Sequence, residues 1–314
     1  MTTRPQKSLA DVKGILVGHA RNRTAKTGVT VVLCPEGTVG GIDVRGSAPG
    51  SRETDLLQPV RLVQTVHAVV LSGGSCFGLD AASGVQEWLE KHGVGLDVKI
   101  ARIPIVPQAV IFDLAEGDPG VRPDKPMAKL ACRRASAGPV AEGLVGAGTG
   151  ATVGKYYGPR RCMKGGVGTW SERIAGGVIV AALAVVNAFG DIVDPRSGEI
   201  VAGTRTADAE AFADTLALMK KRGPGPVLSR FFNTTLAVVA TDARLSREGA
   251  VKVAQMAHDG FARTIRPVHT MVDGDIVFSL SAGKKRADIS TVGATAADVV
   301  AESVLRAVRA SNGP

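Results

Sequence analysis

The chain has 314 residues, of which 45% are hydrophobic and 21% charged, enough apolar material for a large core and too much for a disordered chain. Its formal net charge of +9 raises binding to nucleic acid, but the basic residues are dispersed. The short runs Arg133–Arg134, Arg160–Arg161, Lys220–Arg222 and Lys284–Arg286 carry no interleaved aromatics, so they read as solvated charge and no nucleic-acid partner is expected.

With 39 glycines and only 4% aromatics, the core has to be built from Val, Ala, Leu and Ile around tight turns, a composition suited to sheets covered by helices. Residues Met1 to Gly14 lack the apolar stretch of a signal peptide or anchor. Cys34, Cys76, Cys132 and Cys162 show no C-x-x-C spacing, which fits buried small hydrophobes in a reducing cytoplasm. Gly28–Cys34 and Gly40–Arg45 read as a hairpin turned at Pro35-Glu36-Gly37. Thr65–Leu71 is a strand running into Ser72-Gly73-Gly74-Ser75, after which Phe77, Leu79, Val85, Trp88 and Leu89 recur at helical spacing up to Gly93.

A proline-flanked strand is expected at Ile103–Leu114, a helix at Pro126–Ala137, and a glycine-dense segment from Gly143 to Gly168. Gly177–Ala188 is a buried strand, and the apolar run around it is too short to cross a bilayer core of about 30 Å, so no membrane partner is expected. Ala207–Lys221 reads as an amphipathic helix and Arg222–Ser229, with Gly223, Pro224, Gly225 and Pro226, as a linker. Beyond it come a strand at Thr234–Thr241, a helix at Ser246–Thr264 capped by Ser246, a strand at Val268–Leu280 carrying Asp273-Gly274-Asp275, and a last helix at Ala294–Ala310. Alternating strands and helices, with both hairpins and long crossovers, predict a layered α/β sandwich with mixed sheets.

Conventional catalytic patterns come out poorly. His19, His67, His92, His258 and His269 are scattered, with no metal-like spacing such as HExxH. Ser72-Gly73-Gly74-Ser75 has the setting of an anion-cradling turn but neither the P-loop lysine nor the GxGxxG register. At Phe232-Asn233-Thr234-Thr235-Leu236 a Pro/Gly linker leads directly into an apolar strand headed by hydroxyl residues, which on composition alone is the ordinary preference of β-branched residues for strands.

The segments GVTVVLCPEGTVGGIDVRGSAPGSRETDLL, LSGGSCFGLDAASGV, IPIVPQAVIFDL, GAGTGATVGK, KGGVG, VVNAFGDIVDP, FFNTTLAVVATDA, AHDGFARTIRPVHT and DGDIVF change that reading. Taken together and in this order, they resemble the DmpA family of L-aminopeptidase/D-esterases, which includes β-peptidyl aminopeptidases and the nylon-oligomer hydrolase NylC. The resemblance implies an N-terminal-nucleophile-like α/β/β/α sandwich (DmpA/ArgJ-like) and one hydrolase domain over residues 1–314. It also implies a cut between Asn233 and Thr234, leaving a long chain 1–233 and a short chain 234–314 that stay together. A freed Thr234 amine, with a reference pKa of about 7.7–8.0, could take the hydroxyl proton near neutral pH without a histidine.

By the same resemblance, Lys155 sits beside the nucleophile, with Lys164 as the competing lysine, and Asn187 donates to the oxyanion of a tetrahedral intermediate. Asp273 and Asp275 orient the nucleophile, from one face if their strand is regular. Gly73, Gly74 and Phe112 are the substrate-binding candidates, Phe112 standing where NylC has a tyrosine. The implied substrate is a small peptide, amide or ester, with no metal or cofactor required. An oligomer of cleaved heterodimers is expected, with Val299, Val300, Val304, Leu305 and Val308 of the last helix offered as its packing face. An acyltransferase resembling ornithine acetyltransferase is the alternative, and a non-catalytic small-molecule binder a third reading.

Overall fold

The computed structural model describes residues 7–223 and 233–313. Nine strands form one mixed sheet: β1 (Leu16–Asn22), β2 (Thr27–Val44), β3 (Ser51–Arg52), β4 (Thr65–Ser72), β5 (Gln108–Val110), β6 (Gly166–Arg173), β7 (Ile179–Asn187), β8 (Thr234–Ala243) and β9 (Ile276–Lys285). Their order is β6-β7-β8-β9-β2-β4-β5-β3, with β1 also paired to β2. The β8/β9 and β4/β5 pairs are parallel and the others antiparallel. The helices are α1 (Ala81–Lys91), α2 (Lys125–Arg134), α3 (Thr215–Arg222), α4 (Arg247–Thr264) and α5 (Ile289–Asn312).

Period-two alternation sorts these strands into layers. On β7, Ala181, Leu183 and Val185 enter one core and Val180, Ala182, Ala184 and Val186 another. On β2, Val32 and Cys34 share the first core, while Val29, Val31 and Leu33 enter a third, beneath α1 and α2. The first core joins β2 and β4 to β7, β8 and β9, and the second lies beneath α4 and α5. The outcome is an α/β/β/α sandwich whose two β layers are connected through the 18-residue β2.

That strand corrects the expected hairpin. Pro35, Glu36 and Gly37 lie within β2, where its register on β4 shifts between Leu33 and Thr38 and Gly37 adopts φ +79°. Turn chemistry has been absorbed as a bulge, and downstream of it β2 pairs with β9. The expected helix at Ala207–Lys221 shrinks to α3, because the chain turns until Asp214, whose side chain accepts Ala217 N at 3.0 Å, can cap a helix. The Ile103–Leu114 strand is reduced within the sheet to Gln108–Val110, just past Pro104 and Pro107. Ser246 caps α4 as expected, accepting Gly249 N at 3.2 Å. Past Gly223 the expected linker lies outside the described residues.

The face of α5 offered for subunit contacts is used within the chain. Val299, Val300, Val304, Leu305 and Val308 are at most 1% exposed and pack in the second core against β7 and β8, so they leave no apolar face for a partner. Among the described residues no helix is long and apolar enough to cross a membrane.

Candidate active site

Thr234 opens β8 between β7 and β9, directly opposite Asn187, the last residue of β7. Strand ends are where side chains can leave the ladder and converge, and several do so here. Thr234 is only 4% exposed, and its hydroxyl donates to the carbonyl oxygen of Asn233 at 2.5 Å. The same oxygen accepts the Gly274 N–H at 2.8 Å, while Asn233 N donates to Val272 O at 2.7 Å. A short parallel bridge between Asn233 and Asp273 thus aims a backbone donor at the carbonyl preceding Thr234.

Gly274 carries no signal of a role in the sequence beyond its place in a turn. A Cβ there would lie 2.4 Å from Ala48 O and 2.8 Å from Thr234 Oγ1, so only glycine lets the Asp273–Asp275 turn approach this closely. That turn also corrects the expected strand, because Asp273 and Asp275 precede β9 and their carboxylates diverge. Asp273 accepts Phe189 N through Oδ1 at 3.3 Å and Thr270 N through Oδ2 at 3.0 Å, with the Thr270 hydroxyl also donating to Oδ2. Asp275 accepts Thr235 N through Oδ1 at 2.7 Å. Among the described residues neither carboxylate accepts the Thr234 hydroxyl; Asp275 holds the next peptide unit and Asp273 holds the loop after β7. Burial, reinforced by the charge of Asp275, pushes the Asp273 carboxyl up to about 6.

Asn187 is fully buried, and its amide oxygen accepts Lys155 Nζ at 2.8 Å and Thr152 N at 3.0 Å. Those two donors orient the amide so that Nδ2 faces Phe112 O at 3.2 Å. Lys155 is 8% exposed, and burial lowers its ammonium to about 8 against the raising influence of Cys162, Asp273, Glu116 and Asp113. Lys164, the competing lysine, instead reaches Glu116 at 3.1 Å with its side chain half exposed.

Beside Thr234 opens a cleft of about 270 Å³ lined by Ala48, Pro49, Gly50, Ser75, Cys76, Val110, Ile111 and Phe112, with no charged side chain in its wall. Phe112 also borders a small void of about 20 Å³ next to Lys155. Gly73 and Gly74 do not line the cleft; Ser75 and Cys76, which follow them, do. The N–H groups of Gly73, Gly74 and Ser75 are taken by Gly28 O, Asp113 Oδ1 and Ile111 O, so this turn has no donors left for an anion. Besides Thr234, the cleft wall is formed by Ala48–Gly50, Ser75–Cys76 and Val110–Phe112, all within segments that carry the family resemblance, although among them only Phe112 stands out in the sequence as a candidate.

The chain matches the profile of peptidase family S58 over residues 7–313. It is 44% identical over 331 residues to an uncharacterized aminopeptidase of Mycobacterium tuberculosis, covering 96% of this chain and 93% of the relative. Against the 6-aminohexanoate-oligomer endohydrolase of Paenarthrobacter ureafaciens the identity is 30% over 325 residues, covering 95% and 84%. In structure the chain is similar to the L-aminopeptidase D-Ala-esterase/amidase of Ochrobactrum anthropi, described as a variant of the Ntn hydrolase fold, with a TM-score of 0.72 at 20% identity over 99% of this chain and 88% of that one. A Burkholderia sp. β-aminopeptidase gives a TM-score of 0.70 at 21% identity, covering 99% and 89%. These relatives do not favour the acyltransferase alternative. Whole-length profile, relatives and fold agree: the chain belongs to peptidase family S58, the DmpA family, and is a hydrolase of the aminopeptidase and amidase type.

Proposed function

We propose that the chain cuts itself between Asn233 and Thr234 and that the exposed Thr234 then hydrolyses small amides, peptides or esters through an acyl-enzyme. The observation that carries this reading is the pair of donors on one carbonyl: Thr234 Oγ1 at 2.5 Å and Gly274 N at 2.8 Å from Asn233 O. In the maturation step Thr234 Oγ bonds to the Asn233 carbonyl carbon. The hydroxyl proton passes to the departing nitrogen, the C–N bond breaks, and water hydrolyses the ester to a carboxylate on Asn233 and a free amine on Thr234. The Gly274 N–H sits where negative charge develops on the oxygen, the arrangement expected of an oxyanion donor.

In turnover the Thr234 amine takes the hydroxyl proton as Oγ attacks substrate. Asn187 Nδ2 serves the substrate oxyanion, held in orientation by Lys155 and Thr152 N, while Asp273 and Asp275 fix the loop and the strand start around the nucleophile. Residues 1–233 and 234–314 then form one hydrolase from two chains, and assembly of such heterodimers in the cytoplasm is part of the same reading. The uncharged cleft supports substrate side chains without charge, because a charged side chain there would lose its hydration with no partner. With Phe112 in place of the NylC tyrosine, no hydroxyl at that position supports the oxyanion, and the work falls to Asn187 and backbone donors. Hydrolysis of 4-nitroanilides of small uncharged amino acids, present in wild-type protein and absent in Thr234→Ala, tests the reading. Acyl transfer to an added amine that outran hydrolysis would point to the acyltransferase instead.

A further inference from the structure

Two histidines, His258 buried and His269 partly exposed, stand behind Asp275 without a place in the chemistry above. The backbone N–H and Nδ1 of His269 reach the same oxygen of Asp275, Oδ2, at 3.2 and 2.8 Å, leaving Oδ1 for Thr235 N at 2.7 Å. His269 holds a left-handed backbone, φ +55°, which a non-glycine residue adopts at a cost. Its Nε2 is buried without a partner among the described residues, and its ring meets the His258 ring edge-on at a centroid distance of 4.9 Å. His258 is in turn fastened by Nε2 to Asp43 O at 3.0 Å, and its Nδ1 is likewise buried without a partner. An apolar ring would fill this space with fewer stranded polar atoms, so packing alone does not account for a histidine at position 269.

We infer that His269 is a positioning residue for the nucleophile, acting through Asp275. Thr234 is held at both flanking peptide units, the Asn233 carbonyl by Gly274 N and the Thr235 N–H by Asp275. Free rotation of the Asp275 carboxylate would release the second of these holds. Two donors from one residue on Oδ2 remove that freedom, and His258, anchored on α4 and packed against the His269 ring, keeps the imidazole from turning away. A loop residue preceding β9 thereby sets the angle at which Thr234 Oγ meets a carbonyl, where small misplacements cost large factors in rate.

The inference rests on Thr234 being the nucleophile, and the test separates the two. Full-length His269→Phe keeps an aromatic ring without a side-chain donor, and His269→Asn keeps a donor and tolerates the left-handed backbone. Self-cleavage is followed on denaturing gels, and kcat and KM are measured on fully cleaved protein with a small-amino-acid 4-nitroanilide. His269→Phe is expected to slow cleavage and kcat by about tenfold or more with KM within about twofold, and His269→Asn to stay within about threefold of wild type. Wild-type rates in His269→Phe, or a His269→Asn loss as deep as that of His269→Phe, would overturn the role. Should His269→Phe fail to fold, His269→Ala takes its place: a loss of about tenfold or more in folded His269→Ala, restored to within about threefold in His269→Asn, would support the role, and wild-type rates in His269→Ala would overturn it. Thr234→Ala runs alongside: if it were cut and active, the underlying reading would fail whatever His269 did.

Discussion

Two glycine-bearing turns meet near the cleft, and they have opposite fates. In Ser72-Gly73-Gly74-Ser75 a Cβ on Gly73 would come within 1.9 Å of Asp113 Oδ2, and every N–H from Gly73 to Ser75 is consumed by an internal acceptor. Asp113, pushed up to about 6 by burial, also takes the Thr27 hydroxyl at 2.7 Å and closes that turn. In Asp273-Gly274-Asp275 the glycine is equally hemmed in, yet its N–H points at the Asn233 carbonyl, which the buried Thr234 hydroxyl also touches. What separates the two turns is what their N–H groups face, and nothing in their glycine content distinguishes them.

The sharpest way to break this contrast is to add a methyl to each glycine. Gly274→Ala is predicted to slow self-cleavage by about 10²–10³-fold in protein that remains folded, the loss typical of an oxyanion donor displaced from its acceptor. Gly73→Ala is predicted to lower stability in urea while leaving the cleavage rate per folded molecule unchanged. A folding defect in both, with no difference in cleavage, would erase the distinction. Next in size, Asn187→Ala should reduce kcat by about a hundredfold with KM little altered, because an oxyanion donor acts in the transition state.

Smaller still is the effect expected of Lys155→Met on the pH profile. The Lys155 ammonium, carried below about 8, lies against Asn187, which pairs across the sheet with Thr234. In the proposed cleaved enzyme a neighbouring positive charge would disfavour protonation of the Thr234 amine and keep it neutral to lower pH than its ordinary value of about 7.7–8.0. Removing the charge should move the acid limb of kcat upward by about one pH unit. The same burial makes wild-type stability rise between about pH 8 and 10.5, because there the unfolded lysine binds a proton that the folded one has released; Lys155→Met should lack that rise. An acid limb that stayed in place would detach Lys155 from the nucleophile. The smallest effect belongs to Thr235→Val, whose Oγ1 is buried without a partner among the described residues, and cleavage within about twofold of wild type is expected.

Much of the layering could be read in advance, because β7, β8 and α4 announce themselves by apolar period and by the Ser246 cap. The bulge in β2 could not, since Pro35-Glu36-Gly37 is equally good chemistry for a turn and for a register shift; which one forms depends on β9 arriving from the far end of the chain. Val268–Leu280 reads as one strand in the sequence because its apolar residues conceal the turn through His269 and Gly274. The acids of the Asp-Gly-Asp motif drew notice while the N–H between them, whose importance comes only from the position of Asn233, did not. Which ammonium reaches Asn187, that of Lys155, and which reaches Glu116, that of Lys164, is likewise a matter of tertiary placement that the sequence does not show.

Mass spectrometry of the intact purified protein, with N-terminal sequencing of any fragment, tests the central claim most directly. Wild type should resolve into two chains, the shorter running from Thr234 to Pro314, and Thr234→Ala should remain a single folded, inactive chain. A new amine at Thr235, or an uncut wild-type chain that hydrolyses amides at full rate, would contradict it.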